Sequence, residues 1–312
     1  MKVLVVTSEW SSKNHPNHVP FLKDNILSLK SKDVKISIYK IKSESMSNRL
    51  SSIFKLRKKI RDDKYDVIHI HWGYNGLFCL GLNTPVVVTF HGSDLNRPFP
   101  FKIRSMIAYL FSKISTITSN YNIFVSEALV KNSLIKKKKM TVIPMGIDLE
   151  KFCPKDKREC RDQLELPLNK HIILFGGNSS QVVKRLPLAM SAFSYLDDKY
   201  KLITIDYIDH NLIPIYMNAC DMLLMTSAIE GSPTMIKEAL ACNVPVVSTN
   251  VGDVKEQLNG LENCFIIKSE TPREIASVVK KCIKNQVVPN GRAKMLNFSV
   301  NVLSNEIIKI YR

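Results

Sequence analysis

The chain has 312 residues, 45% of them hydrophobic, which is ample for one or two packed domains. Its net charge of +17 is uneven, +13 over residues 1–150 against +4 over 151–312, so a basic body precedes a nearly neutral one. The apolar run Val3 to Val6 is too short for a signal sequence, the charge-free window Trp72 to Ser93 is interrupted by Gly, Asn, Thr and Pro85, and seven scattered cysteines without a Cys-x-x-Cys pair read as reduced thiols in a cytoplasmic protein.

In chain order, Lys2 to Thr7 reads as a buried strand, followed by a polar loop from Ser8 to Pro20 that holds His15 and His18. Phe21 to Leu29 has helical spacing, Val34 to Ile41 reads as a strand, and residues 51–61 form a basic helix. Strands are expected at Asp66 to His71 and Pro85 to Phe90, helices at 75–82 and 101–112, and a short strand at Ser115 to Thr118. Ser126 is placed to cap the next helix, and Thr141 to Ile143 is a further strand. The irregular stretch Pro144 to Pro154 reads as a linker.

The pattern then restarts: helix 156–164, strand His171 to Phe175, helix 185–196, strand 201–206, helix 211–219 and strand 222–226. Helix 233–242, strand 244–248, a strand near 264–267, helix 272–285 and a last helix 292–311 complete it. Strands alternating with helices predict an α/β chain of two doubly wound, Rossmann-like domains with parallel sheets. The expected boundaries are 1–148 plus 296–312 for the first and 149–295 for the second. Ligands of such sheets bind beyond the carboxyl ends of the strands, so a cleft between the domains is the expected site.

The most informative stretch is Ser227 to Cys242. Ser232 is a good N-cap and Pro233 suits the first helical position, so a helix start with free N–H groups faces the sheet edge. Glu230 precedes it and Glu238 lies within it. Two carboxylates around an anion-binding helix start suit a ligand with both phosphates and hydroxyls. No Gly-x-Gly-x-x-Gly, P-loop, His-Glu-x-x-His or Gly-x-Ser-x-Gly occurs.

Glu230 to Val247 resembles the retaining glycosyltransferases of family 4, which have the GT-B fold. Asp66 to Trp72, Val87 to Asp94, Val125 to Ala128, Val142 to Asp148, Phe175-Gly176-Gly177 with Lys184-Arg185, and Ala219-Cys220-Asp221 match that family in the same order. The resemblance implies transfer of a hexose-type sugar from a nucleotide-diphosphate sugar to a saccharide or lipid-linked saccharide. It implies no cofactor and no metal, and no Asp-x-Asp motif is present. It makes Glu230, His91 and Lys184 catalytic. Glu238, Arg185, Gly177, Ser232, Thr234 and Met235 become donor-binding residues, with His15 and His18 on the acceptor side.

Two departures from the family pattern stand out. The family arginine near the end of the first strand of the second domain is replaced by Asn178 and Ser179, and one strand–helix unit is missing between Phe193 and Ile213. Two alternatives stay open: a nucleotide-sugar epimerase or a phosphorylase of the same fold, and a basic lipid- or polysaccharide-binding relative without turnover, which the shortening favours. The basic helix 51–61 and the run Lys136 to Lys139 are either solvated faces or a peripheral contact with an anionic membrane at the inner face of the cell. No aromatic-interleaved basic segment points to nucleic acid.

Overall fold

A computed structural model of the chain describes residues 1–10, 19–42, 46–98, 100, 102–134, 139–206 and 208–312. They form two units, Met1–Gly146 with Val300–Arg312, and Ile147–Ser299. The first unit runs β1 (Lys2–Thr7), α1 (Pro20–Lys30), β2 (Lys35–Lys40), α2 (Met46–Asp63) and β3 (Val67–His71). A 3-10 turn (Gly73–Cys79) leads to β4 (Val86–Phe90), α3 (Ile103–Thr118), β5 (Tyr121–Phe124), α4 (Glu127–Lys131) and β6 (Met140–Val142). All strand pairs are parallel, in the order β2-β1-β3-β4-β5-β6.

Alternation along the strands decides what each face of this sheet packs against. Leu4, Val6, Ile68, Ile70, Val88 and Phe90 point to the side of Leu56 and Ile60 on α2. Val3, Val5, Val67 and Val87 point to Leu22, Ile26 and Leu29 on α1 and to Leu303 and Ile307 near the carboxyl terminus. Both faces are covered, so β3 and β4 are buried along their whole length.

The second unit runs α5 (Lys157–Gln163), β7 (His171–Phe175), a 3-10 turn (Val182–Lys184), α6 (Leu186–Phe193), β8 (Tyr200–Ile203) and α7 (Ile213–Ala219). It continues with β9 (Met222–Met225), α8 (Thr234–Ala241), β10 (Val246–Ser248), α9 (Val254–Leu258), β11 (Phe265–Ile266), α10 (Pro272–Asn285) and α11 (Gly291–Met295). Its five parallel strands are ordered β11-β10-β9-β7-β8. A 3-10 turn (Leu296–Phe298) then leads to α12 (Val300–Tyr311), which belongs to the first unit. Only β8 lies between α6 and α7 among the described residues, which agrees with the expected shortening. In each sheet the strand order reverses at one point, between β1 and β3 and between β7 and β9, and that is where doubly wound sheets take ligands.

Four local expectations are corrected. Residues 115–118 are not a strand but the last turn of α3. The Thr118 Oγ1 donates to the Ile114 carbonyl at 3.2 Å and the Thr116 Oγ1 to the Lys113 carbonyl at 2.7 Å, so both threonines are accommodated within the helix, while Ser115 Oγ is buried without a partner among the described residues. The helix expected at 75–82 is the 3-10 turn Gly73–Cys79, pressed so closely on α3 that a Cβ at Gly76 would lie 2.6 Å from Ser115 Oγ. Ser232 does not cap α8; Pro233 is the capping residue and the Ser232 hydroxyl is used elsewhere. The last helix is not continuous over 292–311, because the Ile147 amide donates to the Phe298 carbonyl at 2.9 Å and Ser299 becomes extended.

Candidate functional site

In the second unit the switch-point strands β7 and β9 end beside one another, and the loops that follow are stitched together. The Ala228 amide donates to the Val183 carbonyl at 2.8 Å, and Thr226 Oγ1 donates to the Lys184 carbonyl at 2.9 Å. Arg185 completes the seam: its Nε donates to the Thr226 carbonyl at 2.6 Å and Nη2 to the Ser227 carbonyl at 3.1 Å, while Nη1 meets Glu270 at 2.5 Å. Its guanidinium is thus bound to the scaffold and fixes the segment that carries its neighbour.

That neighbour is Lys184, whose Nζ lies 2.5 Å from Glu230 Oε1. Both side chains are mostly covered, 19% and 14% exposed, so the pair is screened less than a surface ion pair. Gly177 allows the lysine stem to pass, because a Cβ there would lie 2.7 Å from Lys184 Cδ. On the far side, Gly252 has φ +57° and its missing Cβ leaves room for the Gly231 carbonyl, which a Cβ would meet at 2.5 Å. One glycine thus makes room for the Lys184 stem and the other for the Glu230–Gly231 turn, and only Gly177 was singled out from the sequence.

Beside this turn lies a partly buried polar chain that starts from the fully buried Lys237. Lys237 Nζ donates to Ser232 Oγ at 2.6 Å, Ser232 Oγ donates to Asp253 Oδ2 at 2.7 Å, and Gln257 Nε2 donates to Asp253 Oδ1 at 2.6 Å. Burial pushes the Lys237 ammonium down to about 8, against the opposing pull of Asp253 and Glu238, and pushes the Asp253 carboxyl up. Ser232 therefore serves as a link in the support of the loop. Thr234 and Met235, at the half-exposed start of α8, present the amide end of the helix.

Glu238 sits one turn further along α8, 6% exposed. His210 Nε2 approaches its Oε1 at 4.0 Å, and His210 Nδ1 accepts from Lys151 Nζ at 2.6 Å. An ammonium can only donate, so Nδ1 is the bare nitrogen and Nε2–H is turned to the carboxylate. Neither Lys151 nor His210 was picked from the sequence, since each depends on a partner about 60 residues away.

In the first unit, β3 and β4 end in a histidine cluster. His69 Nδ1 lies 2.5 Å from the Tyr311 hydroxyl and its Nε2 lies 2.7 Å from Thr89 Oγ1. His71 Nδ1 lies 2.8 Å from His91 Nε2, while His71 Nε2 is buried without a partner. Burial pushes His69 down to about 3, His91 down to about 3 and His71 well down, so all three rings are neutral at neutral pH. An orphaned buried N–H is rarer than an orphaned lone pair, which assigns the proton of His71 to Nδ1. His91 then accepts at Nε2 and carries its own proton on Nδ1. Phe21 and Trp72 hold that ring at centroid distances of 5.6 and 4.6 Å, and the Asp94 carboxylate accepts the His91 and Gly92 amides at 3.0 and 2.9 Å.

The cluster makes stability depend on pH. His69 has a folded pKa below its unfolded value near 6.5, so its contribution is complete above about pH 6.5 and is lost as pH falls through the window down to about 3. Going to about pH 5 should remove about 2 kcal/mol through His69 alone, at about 1.4 kcal/mol per unit. Urea titrations at about pH 7.5 and about pH 5 measure this, and a His69→Gln variant should show a smaller drop.

The acceptor-side residues His15 and His18, and Lys136 to Lys138 of the basic run, lie outside the described residues. A cavity lined by Pro154, His171, Asn218, Cys242 and Val244 lies at the amino ends of β7 and β10, on the opposite edge from Glu230, and takes no part in the site. Among the described residues no group of three or more His, Cys, Asp or Glu is arranged to hold a metal ion.

Comparison with known proteins adds to this geometry. Residues 2–151 match the model of Glycosyltransferase Family 4, and residues 199–298 match that of Glycosyl transferases group 1. Gly177, Lys184 and Arg185 fall between the two matched stretches. The chain is 28% identical over 268 residues to TuaC of Bacillus subtilis (strain 168), a glycosyltransferase assigned to teichuronic acid biosynthesis, covering 77% of this chain and 67% of that protein. It is 23% identical over 299 residues to the UDP-Gal:alpha-D-GlcNAc-diphosphoundecaprenol alpha-1,3-galactosyltransferase of Escherichia coli, covering 79% of this chain and 76% of that one. Among solved structures, sucrose-phosphate synthase from Thermosynechococcus elongatus superposes with a TM-score of 0.84 at 14% identity, covering 100% of this chain and 98% of that one. That likeness establishes the GT-B fold.

Proposed function

The chain belongs to the GT-B glycosyltransferases of family 4, and from that premise we propose that it moves a hexose-type sugar from a nucleotide-diphosphate sugar to a saccharide or lipid-linked saccharide, with retention of configuration and without a metal or other cofactor. The observation that carries the reading is the Lys184–Glu230 pair at the switch point of the second sheet, with Glu238 on the adjoining helix.

The proposed chemistry follows from charge. The bond between the sugar carbon and the diphosphate oxygen breaks, and the departing nucleoside diphosphate gains negative charge. Lys184 and the amides at the start of α8 stabilise that charge in a fixed geometry. Glu238 accepts hydrogen bonds from the ribose hydroxyls, and Glu230 both holds Lys184 and meets the donor sugar. Arg185 and Gly177 keep the lysine in place. In the first unit, His91 offers Nδ1–H to a substrate hydroxyl.

The relatives support the substrate classes. The name of the E. coli protein contains a UDP sugar and a saccharide-diphosphoundecaprenol, and that of the B. subtilis protein contains teichuronic acid biosynthesis. We therefore place the reaction in polysaccharide or glycolipid synthesis at the cytoplasmic face of a membrane, with the basic first unit in peripheral contact with anionic lipid. The test is to supply a panel of nucleotide sugars with a lipid-linked saccharide and read the product by NMR. An α-linked product from an α-linked donor is expected; inversion of the anomeric carbon, or no transfer with any donor, would refute this reading.

A further inference from the structure

Helix α3 is inside out. At about 100° per residue, Ile103, Ile107, Leu110, Phe111, Ile114 and Ile117 fall on one stripe, yet these six residues are 40–72% exposed. The face turned to the body is made instead of Ser112, Ser115 and Thr116, all buried. The reason is the close approach of the 3-10 turn: Cβ atoms at Gly73 and Gly76 would lie 3.0 Å from Ser112 Cβ and 2.6 Å from Ser115 Oγ, so only small side chains fit between them. The large apolar residues are left pointing away from the core.

The charges around the stripe identify what it meets. Arg104 borders it on one side, and Lys102 and Lys113 border it on the other. No acidic residue occurs between Asp94 and Glu127. Helix α2, which packs on the same 3-10 turn, adds exposed Phe54, Lys55 and Lys58. An apolar stripe edged by cations fits a helix lying in the plane of an anionic bilayer, with its stripe in the acyl boundary and its cations among the headgroups. At 16 residues it is roughly 24 Å long, and no described helix is long and apolar enough to cross a membrane. A second copy is a poorer occupant, since two cationic rims would face each other.

We infer that α3 is the docking surface of this protein on a membrane rich in anionic phospholipid, seated through Ile107, Leu110 and Ile114 and held by Lys102, Arg104 and Lys113. This rests on the membrane contact proposed above but not on the transfer chemistry. This seat also differs from the two basic segments that the sequence offered for such a contact, helix 51–61 and the run Lys136 to Lys139.

The experiment is co-sedimentation of the full chain with vesicles of phosphatidylglycerol mixed with phosphatidylcholine, and with phosphatidylcholine alone. Wild type should bind the mixed vesicles and bind phosphatidylcholine weakly. The Ile107→Glu/Ile114→Glu variant should partition at least ~10-fold less, with an unchanged melting temperature and unchanged UDP binding, because both positions are already exposed. Equal vesicle binding by that variant overturns the assignment to α3. If a Lys55→Glu/Lys58→Glu variant alone loses binding, the membrane contact stands and α3 is not its seat. If wild type binds neither vesicle, both the contact and the docking surface fail. If the α3 variant only converts a dimer into a monomer, the stripe is covered by a second copy, and the inference fails.

Discussion

Replacing Lys184 by alanine should lower kcat by roughly 100- to 1000-fold, the range seen when one preorganised stabiliser of transition-state charge is removed. The donor KM should move far less, since in the proposed mechanism the lysine meets its full charge partner only as the diphosphate departs. In the resting protein that ammonium is held 2.5 Å from Glu230 by a seam of hydrogen bonds that runs through Thr226, Ala228 and Arg185. Lys184→Arg should restore only part of the rate, since a planar guanidinium does not reproduce a point charge on this stem. The pair also predicts non-additivity: Lys184→Ala combined with Glu230→Gln should be little slower than the worse single variant. Steady-state kinetics with saturating acceptor decide the matter, and a Lys184→Ala enzyme within about threefold of wild type would remove the lysine from the mechanism.

The second large effect concerns Glu238. It is 6% exposed on α8, with His210 Nε2 at 4.0 Å and Lys151 behind the histidine. A charged acceptor of this kind contributes roughly 1.5–3 kcal/mol to a hydrogen bond. Glu238→Gln keeps the shape and removes the charge, so nucleoside diphosphate affinity should fall roughly 10- to 100-fold, with a smaller effect on kcat at saturation.

Much of this arrangement is legible without coordinates because it is local. Continuous apolar runs such as Val3 to Val6 and Ile172 to Phe175 announce strands buried on both faces. The spacing of Glu230 and Glu238 around a proline-led helix is likewise a short-range signal. What escaped the sequence reading depends on distant partners. Asp253 reaches the Glu230 turn through Ser232, 21 residues away, and Tyr311 meets His69 across 242 residues of chain. Gly252 reads as an ordinary loop glycine until the Gly231 carbonyl is seen against it.

Helix α3 misled for a different reason. Its Ser-Thr run resembles a strand because β-branched and hydroxylated residues favour extended chain, yet the close glycine turn selects those small residues for a helix–turn contact. The buried Lys237 shows the same limit. A lysine beside Glu238 in a helix is ordinarily solvated, and only the fold places it next to the loop, donating to Ser232 at 2.6 Å.

The most direct measurement is a calorimetric titration of UDP, GDP and ADP into the wild-type protein and into Glu238→Gln. The predicted result is that at least one nucleoside diphosphate binds wild type without added metal, and that the same nucleotide binds the variant roughly 10- to 100-fold more weakly. Binding of none of the three to wild type, or equal affinity for both proteins, would contradict the assignment of a nucleotide-sugar site to Glu230, Glu238 and Lys184.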